Sequence, residues 1–315
     1  MRVIYGKDAT RLDVTPAVTD VSWSSSRGQI AQVCQIQLRN PPVLAAAGYL
    51  MMFPNEAKES EQLFHGPLVE WNRDEKTKEL SGTAYELSWY LQKNDCSRPY
   101  LKGDAGKELE RIIQGAGISF QCPAFGFTVK ERHPSQPYTS LFTDIAERAF
   151  ERTGLRYFIQ HQRDKLIVLA EGNNPYVPVF QATMLEASST GESLEEVYTA
   201  VTVERYEGDR VAGRVTREHH DLMKKIGRMQ KIIDAGEEKN LASLASKQLV
   251  TLAKIPRTRS ITVRHTNSLI ARLRAGWLVK IQEINGQQSS WIVTSCNTRW
   301  KNREFVMDLQ LEWRG

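Results

Sequence analysis

Catalysis requires a nucleophile beside a base, a carboxylate pair, or a set of metal ligands at a workable spacing. His219-His220-Asp221 is the chain's one histidine cluster. Adjacent residues on a helix point about 100° apart, and on a strand they point to opposite faces, so neither element aims these side chains at one metal ion. A solvated turn is the better reading. Glu195-Glu196 and Glu237-Glu238 fail as acid/base pairs for the same reason, and Glu237-Glu238 also stands where helix N-terminal acids belong. The four cysteines, Cys34, Cys96, Cys122 and Cys296, form no CxxC pair. Cys34 and Cys296 fall inside strand patterns as small core residues. Gly115-Ala116-Gly117 follows a helix pattern instead of opening one, which marks helix termination and not phosphate binding. Trp277, Trp291 and Trp313 sit on apolar strand faces, so core packing outweighs a sugar-binding platform. No catalytic residue, cofactor site or metal site is expected.

Composition narrows the remaining choices. Acids (37) nearly balance bases (42), too even for a dedicated nucleic-acid binder, and the basic tracts at Arg156–Arg163 and Arg257–Arg264 are broken by aromatics, Thr and Ser. The N-terminal Met1-Arg2-Val3-Ile4-Tyr5 lacks the pattern of a signal peptide. The longest apolar stretch, Pro41–Pro54, falls short of the ~20 residues that span a bilayer, so it reads as a buried loop and strand with no stable membrane insertion. Free thiols and the missing leader together imply a chain folded in a reducing cytoplasm.

At 315 residues, two or three domains are expected. Residues 1–95 read as β: Cys34, Ile36 and Leu38 alternate with Gln35, Gln37 and Arg39, Phe64–Trp71 forms a second strand, and Glu79–Leu87 returns after the polar turn Arg73–Lys78. Residues 96–173 read as a small α+β domain. Asp104 caps a helix bearing Leu109, Ile112 and Ile113; a second helix after Pro137 carries Leu141, Phe142, Ile145 and Ala149 and stops at Gly154; a hairpin then turns at Gln162-Arg163-Asp164. Residues 174–315 return to β. Val197, Val201 and Val203 alternate with polar residues, Asn285-Gly286 marks a hairpin turn, and Phe305, Met307, Leu309, Leu311 and Trp313 line one face of a closing strand. A helical insertion near 238–254, with Leu241, Leu244, Ala245, Leu249 and Leu252 on one face, ends before Pro256. The fold class is mainly β with α+β insertions.

A short sequence occurs twice. Ala47-Gly48-Tyr49-Leu50 reappears as Ala275-Gly276-Trp277-Leu278, each time after a strand and an Asn-started loop (Asn40, Asn267) and before a run of strands. Such a repeat predicts one β unit built twice, with Gly48 and Gly276 at equivalent strand starts where a side chain is disfavoured.

Three stretches resemble a known family. Gly82-Thr83-Ala84-Tyr85-Glu86-Leu87-Ser88-Trp89-Tyr90-Leu91, the helix from Gly103-Asp104-Ala105-Gly106-Lys107-Glu108-Leu109 to Gly117-Ile118, and the helix, Gly stop and hairpin of Leu141–Leu169 are similar to the baseplate hub proteins of contractile phage tails, the XkdQ type related to the late control protein D group. The second half resembles them in organisation, including Ala275-Gly276. The resemblance implies two tail-tube-like β-barrels plus a small α+β domain, and a homotrimer whose six barrels match a hexameric tail tube while its three-fold axis accepts a trimeric spike. It further implies contacts with the tape-measure protein and other baseplate proteins, possible passage of DNA, and residence in a virion or tail-like particle assembled in the host cytoplasm. The chain stops at Trp313-Arg314-Gly315 with no β-helix tail, so the spike is expected to be another chain. Polar strand faces would then line the channel, the candidates being Gln35, Gln37, Arg39, Asp308, Gln310 and Glu312. Mixed polar lining passes cargo that dense Lys and Arg would hold. The competing classes are a tail-tip cell-wall hydrolase and a glycan-binding adhesin.

Overall fold

The computed structural model describes residues 1–8, 10–41, 48–54, 62–236, 238–267 and 269–314. Ala47 of the first repeat, residues 42–47 of the long apolar stretch, Glu237 and Gly315 lie outside them.

The fold is mostly β. The N-terminal strands are β1 (Arg2–Lys7), β2 (Thr10–Asp13), β3 (Val18–Ser26), β4 (Val33–Arg39), β5 (Tyr49–Phe53), β6 (Phe64–Arg73) and β7 (Glu79–Tyr85), in the spatial order β3-β4-β7-β6-β5-β1-β2. Period-two patterning sets their faces: Cys34, Ile36 and Leu38 are buried in one core with Val21, Trp23, Phe64 and Leu68, while Gln35, Gln37 and Arg39 are exposed.

The next segment holds α1 (Trp89–Lys93), β8 (Asp95–Cys96), β9 (Tyr100–Asp104), α2 (Ala105–Gly115), β10 (Phe120–Gln121), β11 (Thr128–Arg132), β12 (Gln136–Pro137), α3 (Tyr138–Thr153), β13 (Tyr157–Gln162) and β14 (Lys165–Ala170). Asp104 caps α2 as expected: its Oδ1 accepts from the Gly106 and Lys107 amides at 3.0 and 3.1 Å, and also from Phe125 at 3.1 Å. Gly154 (φ 73°) ends α3, donating its N–H to the Phe150 carbonyl at 2.8 Å.

Two further strands follow, β15 (Val179–Gln181) and β16 (Leu185–Glu192). Then come β17 (Ala200–Glu207), β18 (Arg210–Glu218), α4 (His220–Ile226), β19 (Gln230–Asp234) and α5 (Leu241–Leu252), and finally β20 (Arg257–His265), β21 (Leu278–Gln282), β22 (Gln288–Lys301) and β23 (Glu304–Trp313). The chain divides into two compact units. One comprises Met1–Ile145, Tyr157–Ser189 and Arg259–Gly315; the other comprises Ala146–Arg156 and Thr190–Thr258. In the second unit β18-β17-β19 form a sheet whose core is Val201, Val203, Ile233 and Ala235 with Leu244, Ala245 and Leu252 of α5. Val201 and Val203 thus belong to this separate sheet. Strict alternation identified a strand without indicating which sheet would take it.

Within the large sheet the β-fold is duplicated. The order β16-β20-β23-β22-β21 repeats β3-β4-β7-β6-β5 strand for strand, and a 3-10 turn precedes both β3 (Thr15–Ala17) and β16 (Ala182–Met184). A β-bulge recurs at matching places. In the first copy Leu68 pairs with Ala84 and Glu70 with Thr83; in the second Val293 pairs with Leu311 and Ser295 with Gln310. The flanking strand differs, since β1 runs antiparallel to β5 and β15 parallel to β21. The core of the second copy is Ile261, Val263, Trp277, Val279, Ile281, Trp291, Met307, Leu309 and Leu311.

The repeated letters are one residue out of step with the repeated fold. Leu50 and Met52 face the first core, whereas Trp277, Val279 and Ile281 face the second. Leu68 N–H donates to the Gly48 carbonyl and Val293 N–H to the Trp277 carbonyl, both at 2.8 Å. Gly48 therefore corresponds to Trp277, and Gly276 stands one position earlier. Inward/outward alternation, not residue identity, fixes which positions match. Both glycines nevertheless stand where a side chain is disfavoured by packing. A Cβ on Gly48 would enter the Tyr5 ring; on Gly276 (φ 91°) it would meet Phe158 ring carbons at 2.7 and 2.8 Å.

Candidate channel-lining face

The two copies join edge to edge in one continuous sheet. β22 carries β23 along one edge; on its other edge Leu278–Gln282 cover the first half and β3 the second, with Ser295 opposite Ser26, Asn297 opposite Ser24 and Arg299 opposite Ser22. Rows of side chains consequently cross six strands. Val306, Arg299, Ser22, Gln35, Thr83 and Glu70 form one such row on the wet face, running from β23 to β6. Asp308, Asn297 and Ser24 share a second row, and Asp20, Gln37, Ser81 and Asn72 a third.

Five of the six candidates, Gln35, Gln37, Arg39, Asp308 and Gln310, are exposed on this face, and Glu312 is half-buried. The structure thus brings strands β4 and β23, nearly 270 residues apart in sequence, onto one surface. Several side chains there are tied to neighbours. Asp308 accepts from the Thr262 hydroxyl at 2.7 Å, Gln310 donates to Ser260 Oγ at 2.9 Å, and Arg299 makes a two-pronged ion pair with Asp20 across the β22–β3 joint. Glu312 pairs with Arg27, whose guanidinium also donates to Glu171 at 2.9 and 3.1 Å. Burial of Arg27 opposes its charge, but the carboxylates of Glu171 and then Glu312 outweigh it and raise its pKa. Among the described residues, acids and bases are interspersed over the face, as with Arg299 beside Asp20.

A buried ionic cluster escaped the sequence reading. Glu86, just past β7, accepts from Arg274 Nη2 at 2.5 Å and pairs with His161 Nδ1 of β13. Glu86 is 1% exposed. Burial alone would push its carboxyl up; the charges of Arg274 and His161 and their hydrogen bonds outweigh this and hold it well below the usual carboxylate range. One carboxylate therefore ties the end of the first β copy, the α+β segment and the loop before β21. With separations of 75 and 188 residues, only Glu86's place in the Ala84-Tyr85-Glu86-Leu87 stretch carried any signal.

The other chemistry-bearing residues take structural places. His219 caps α4, its Nδ1 accepting from the Leu222 amide at 3.3 Å, so the cluster begins a helix and is not a plain turn. All four cysteines are buried and free. Trp277 and Trp291 are core residues, but Trp313, opposite Trp291 in the β22–β23 pair, is 45% exposed. Among the described residues no group of three His, Cys, Asp or Glu is placed to hold a metal ion, and no helix is long and apolar enough to cross a membrane.

The family description YQBQ-like matches residues 21–312. The chain belongs to that family. Its YQBQ-like fold is shared with solved phage tail proteins. The tail protein from Neisseria meningitidis MC58 superposes with a TM-score of 0.72 at 14% identity, covering 100% of this chain and 97% of that one. The 43 kDa tail protein of prophage MuSo2 from Shewanella oneidensis gives 0.66 at 13% identity, covering 99% and 98%. The Escherichia coli c3393 protein, a type VI secretion system component described as structurally similar to T4 bacteriophage tail proteins gp27 and gp5, gives 0.55 at 10% identity, covering 95% and 74%. No curated protein matches the sequence.

Proposed function

We propose that this YQBQ-like chain is the structural baseplate hub of a contractile tail or tail-like injection particle. Three copies form a ring in which six β units match a hexameric tail tube while the three-fold axis accepts a trimeric spike. The observation that carries this reading is the duplication of one five-strand unit within a single sheet, in a fold shared with phage tail proteins. Its work is binding geometry: it converts six-fold into three-fold symmetry and transfers no atoms. Residues 1–95 and the part of 174–315 outside the separate unit supply the two tube-like units, and residues 96–173 the α+β domain between them. The partners are the tube, the spike, the tape-measure protein and other baseplate proteins, in a particle assembled in the host cytoplasm.

In this reading Gln35, Gln37, Arg39, Asp308, Gln310 and Glu312 face the channel. Their surface is polar with mixed charge, suited to a wet lumen through which a tape-measure protein or DNA slides without being held. Native mass and electron microscopy of the full-length chain test the assembly: a ring of three chains with six similar lobes is expected, and a monomer in every preparation overturns it. Cysteines at Gln37 and Asp308, labelled with a bulky maleimide, test the lining. Block of cargo passage with intact rings supports it, and unhindered passage refutes it.

A further inference from the structure

The joint between the two copies in one chain has an open counterpart. β22 is covered by β3 on the edge facing away from β23. The equivalent strand, β6, pairs with β7 through Leu68–Arg73, and among the described residues no strand covers the other edge of that segment. The equivalent of β3 is β16, which among the described residues pairs with β20 alone and ends the sheet. Each chain thus presents one acceptor edge and one donor strand of the kinds already joined inside it. Unpaired edges recruit strands.

The side chains fit this pairing. Trp71 lies in the core-facing row with Gly82, Ile36 and Val21, yet it is 39% exposed, while its counterpart Cys296, covered by β3, is 1% exposed. Val69, at 37%, corresponds to Thr294, whose carbonyl accepts from the Arg27 amide at 2.7 Å. On the donor side, β3 presents small residues (Ser22, Ser24, Ser25, Ser26), and β16 carries Ser188, Ser189, Thr190 and Gly191. Backbone polarity agrees too. Ser193 N–H donates to the Pro256 carbonyl at 3.3 Å, so the amides of Glu192 and Thr190 point to the opposite, open side, as those of their counterparts Ser25 and Trp23 point to β22.

We propose that the open edge of β6 receives β16 of a second copy as an antiparallel neighbour. Glu70 stands opposite Ser193, Trp71 opposite Glu192, Asn72 opposite Gly191 and Arg73 opposite Thr190. This rests on the hub reading and supplies its interface: in a closed ring of three, joints within chains alternate with equivalent joints between chains.

Disulfide trapping in the full-length chain tests the register. Inside the chain, Ser26 Oγ lies 3.2 Å from Ser295 Oγ; the proposed equivalent is Ser193 against Glu70. Glu70→Cys with Ser193→Cys is expected to give disulfide-linked species that stop at three chains under mild oxidation. Asn72→Cys with Gly191→Cys does the same, because opposed residues of a non-hydrogen-bonded pair lie about 4.5 Å apart at Cα, close enough for a disulfide. Single variants and the shifted pair Asn72→Cys with Ser189→Cys stay unlinked; the native cysteines are buried. Native mass measured on the same samples separates the two levels. A trimer in which neither matched pair links overturns the joint and leaves the hub reading standing. A chain that stays monomeric and unlinked overturns both.

Discussion

Glu86 holds Arg274 and His161 together through one buried carboxylate. Removing one member of a buried ion cluster leaves the others uncompensated, so Glu86→Ala is expected to destabilise the chain by about 3–5 kcal/mol, measurable by denaturant unfolding. The same group sets a pH dependence. Its folded pKa lies below the ordinary value of 4.5, so its contribution is complete above that value and is lost as pH falls towards the folded one. Thermal unfolding followed from pH 6 to pH 3 should show a fall beginning near 4.5 that Glu86→Gln reduces. A stability unchanged down to pH 3 would contradict the assignment. Gly276 makes a second residue-scale case. At φ 91° against the Phe158 ring, Gly276→Ala combines a strained backbone with a steric clash, and a loss of about 1–3 kcal/mol is expected from the backbone alone. Sequence spacing revealed neither partner, because the contacts of Glu86 and Gly276 come from strands and loops brought together only by the sheet.

At the scale of elements, local signals were legible and long-range pairings were not. Asp104, Gly154 and Asn285-Gly286 each act within a few residues, and each marked its cap, stop or turn where the structure has it. The closing strand was equally plain, since Phe305, Met307, Leu309 and Leu311 alternate with polar residues and all four are buried. Period two names a buried face but no partner, which is why Val201 and Val203 fell to the wrong sheet and why Tyr49 aligned with Trp277 when Gly48 is its true counterpart. The wet faces of β4 and β23 were legible as exposed; their continuity through β3 and β22 required the joint. Trp71 carries the prediction that belongs here. Trp71→Ala at the open β6 edge is expected to change chain stability by only about 1 kcal/mol while weakening self-association by roughly 30-fold or more, as for a central aromatic anchor of about 2 kcal/mol. Calorimetry and concentration-dependent mass measurements separate the two effects; equal loss in both would make Trp71 an ordinary core residue.

For the whole molecule, a permanent ring should bury more than about 2,000 Å² in total at its subunit interfaces, and dilution into the nanomolar range should not dissolve it. The duplicated sheet also has a mechanical consequence. In a ring built this way, three joints lie within chains and three between them, and the two kinds are alike in hydrogen bonding but unlike in what their rupture releases. A strand parted from β22 stays tethered to it by its own chain, at an effective concentration in the millimolar range or above, and re-forms. A strand parted from β6 leaves with its whole chain, and its return must overcome the translational and rotational entropy cost of association, about 4–15 kcal/mol. Under load, a ring built this way would fail at alternate seams and into whole two-unit chains, so fusing two units in one polypeptide halves the number of places where it can open.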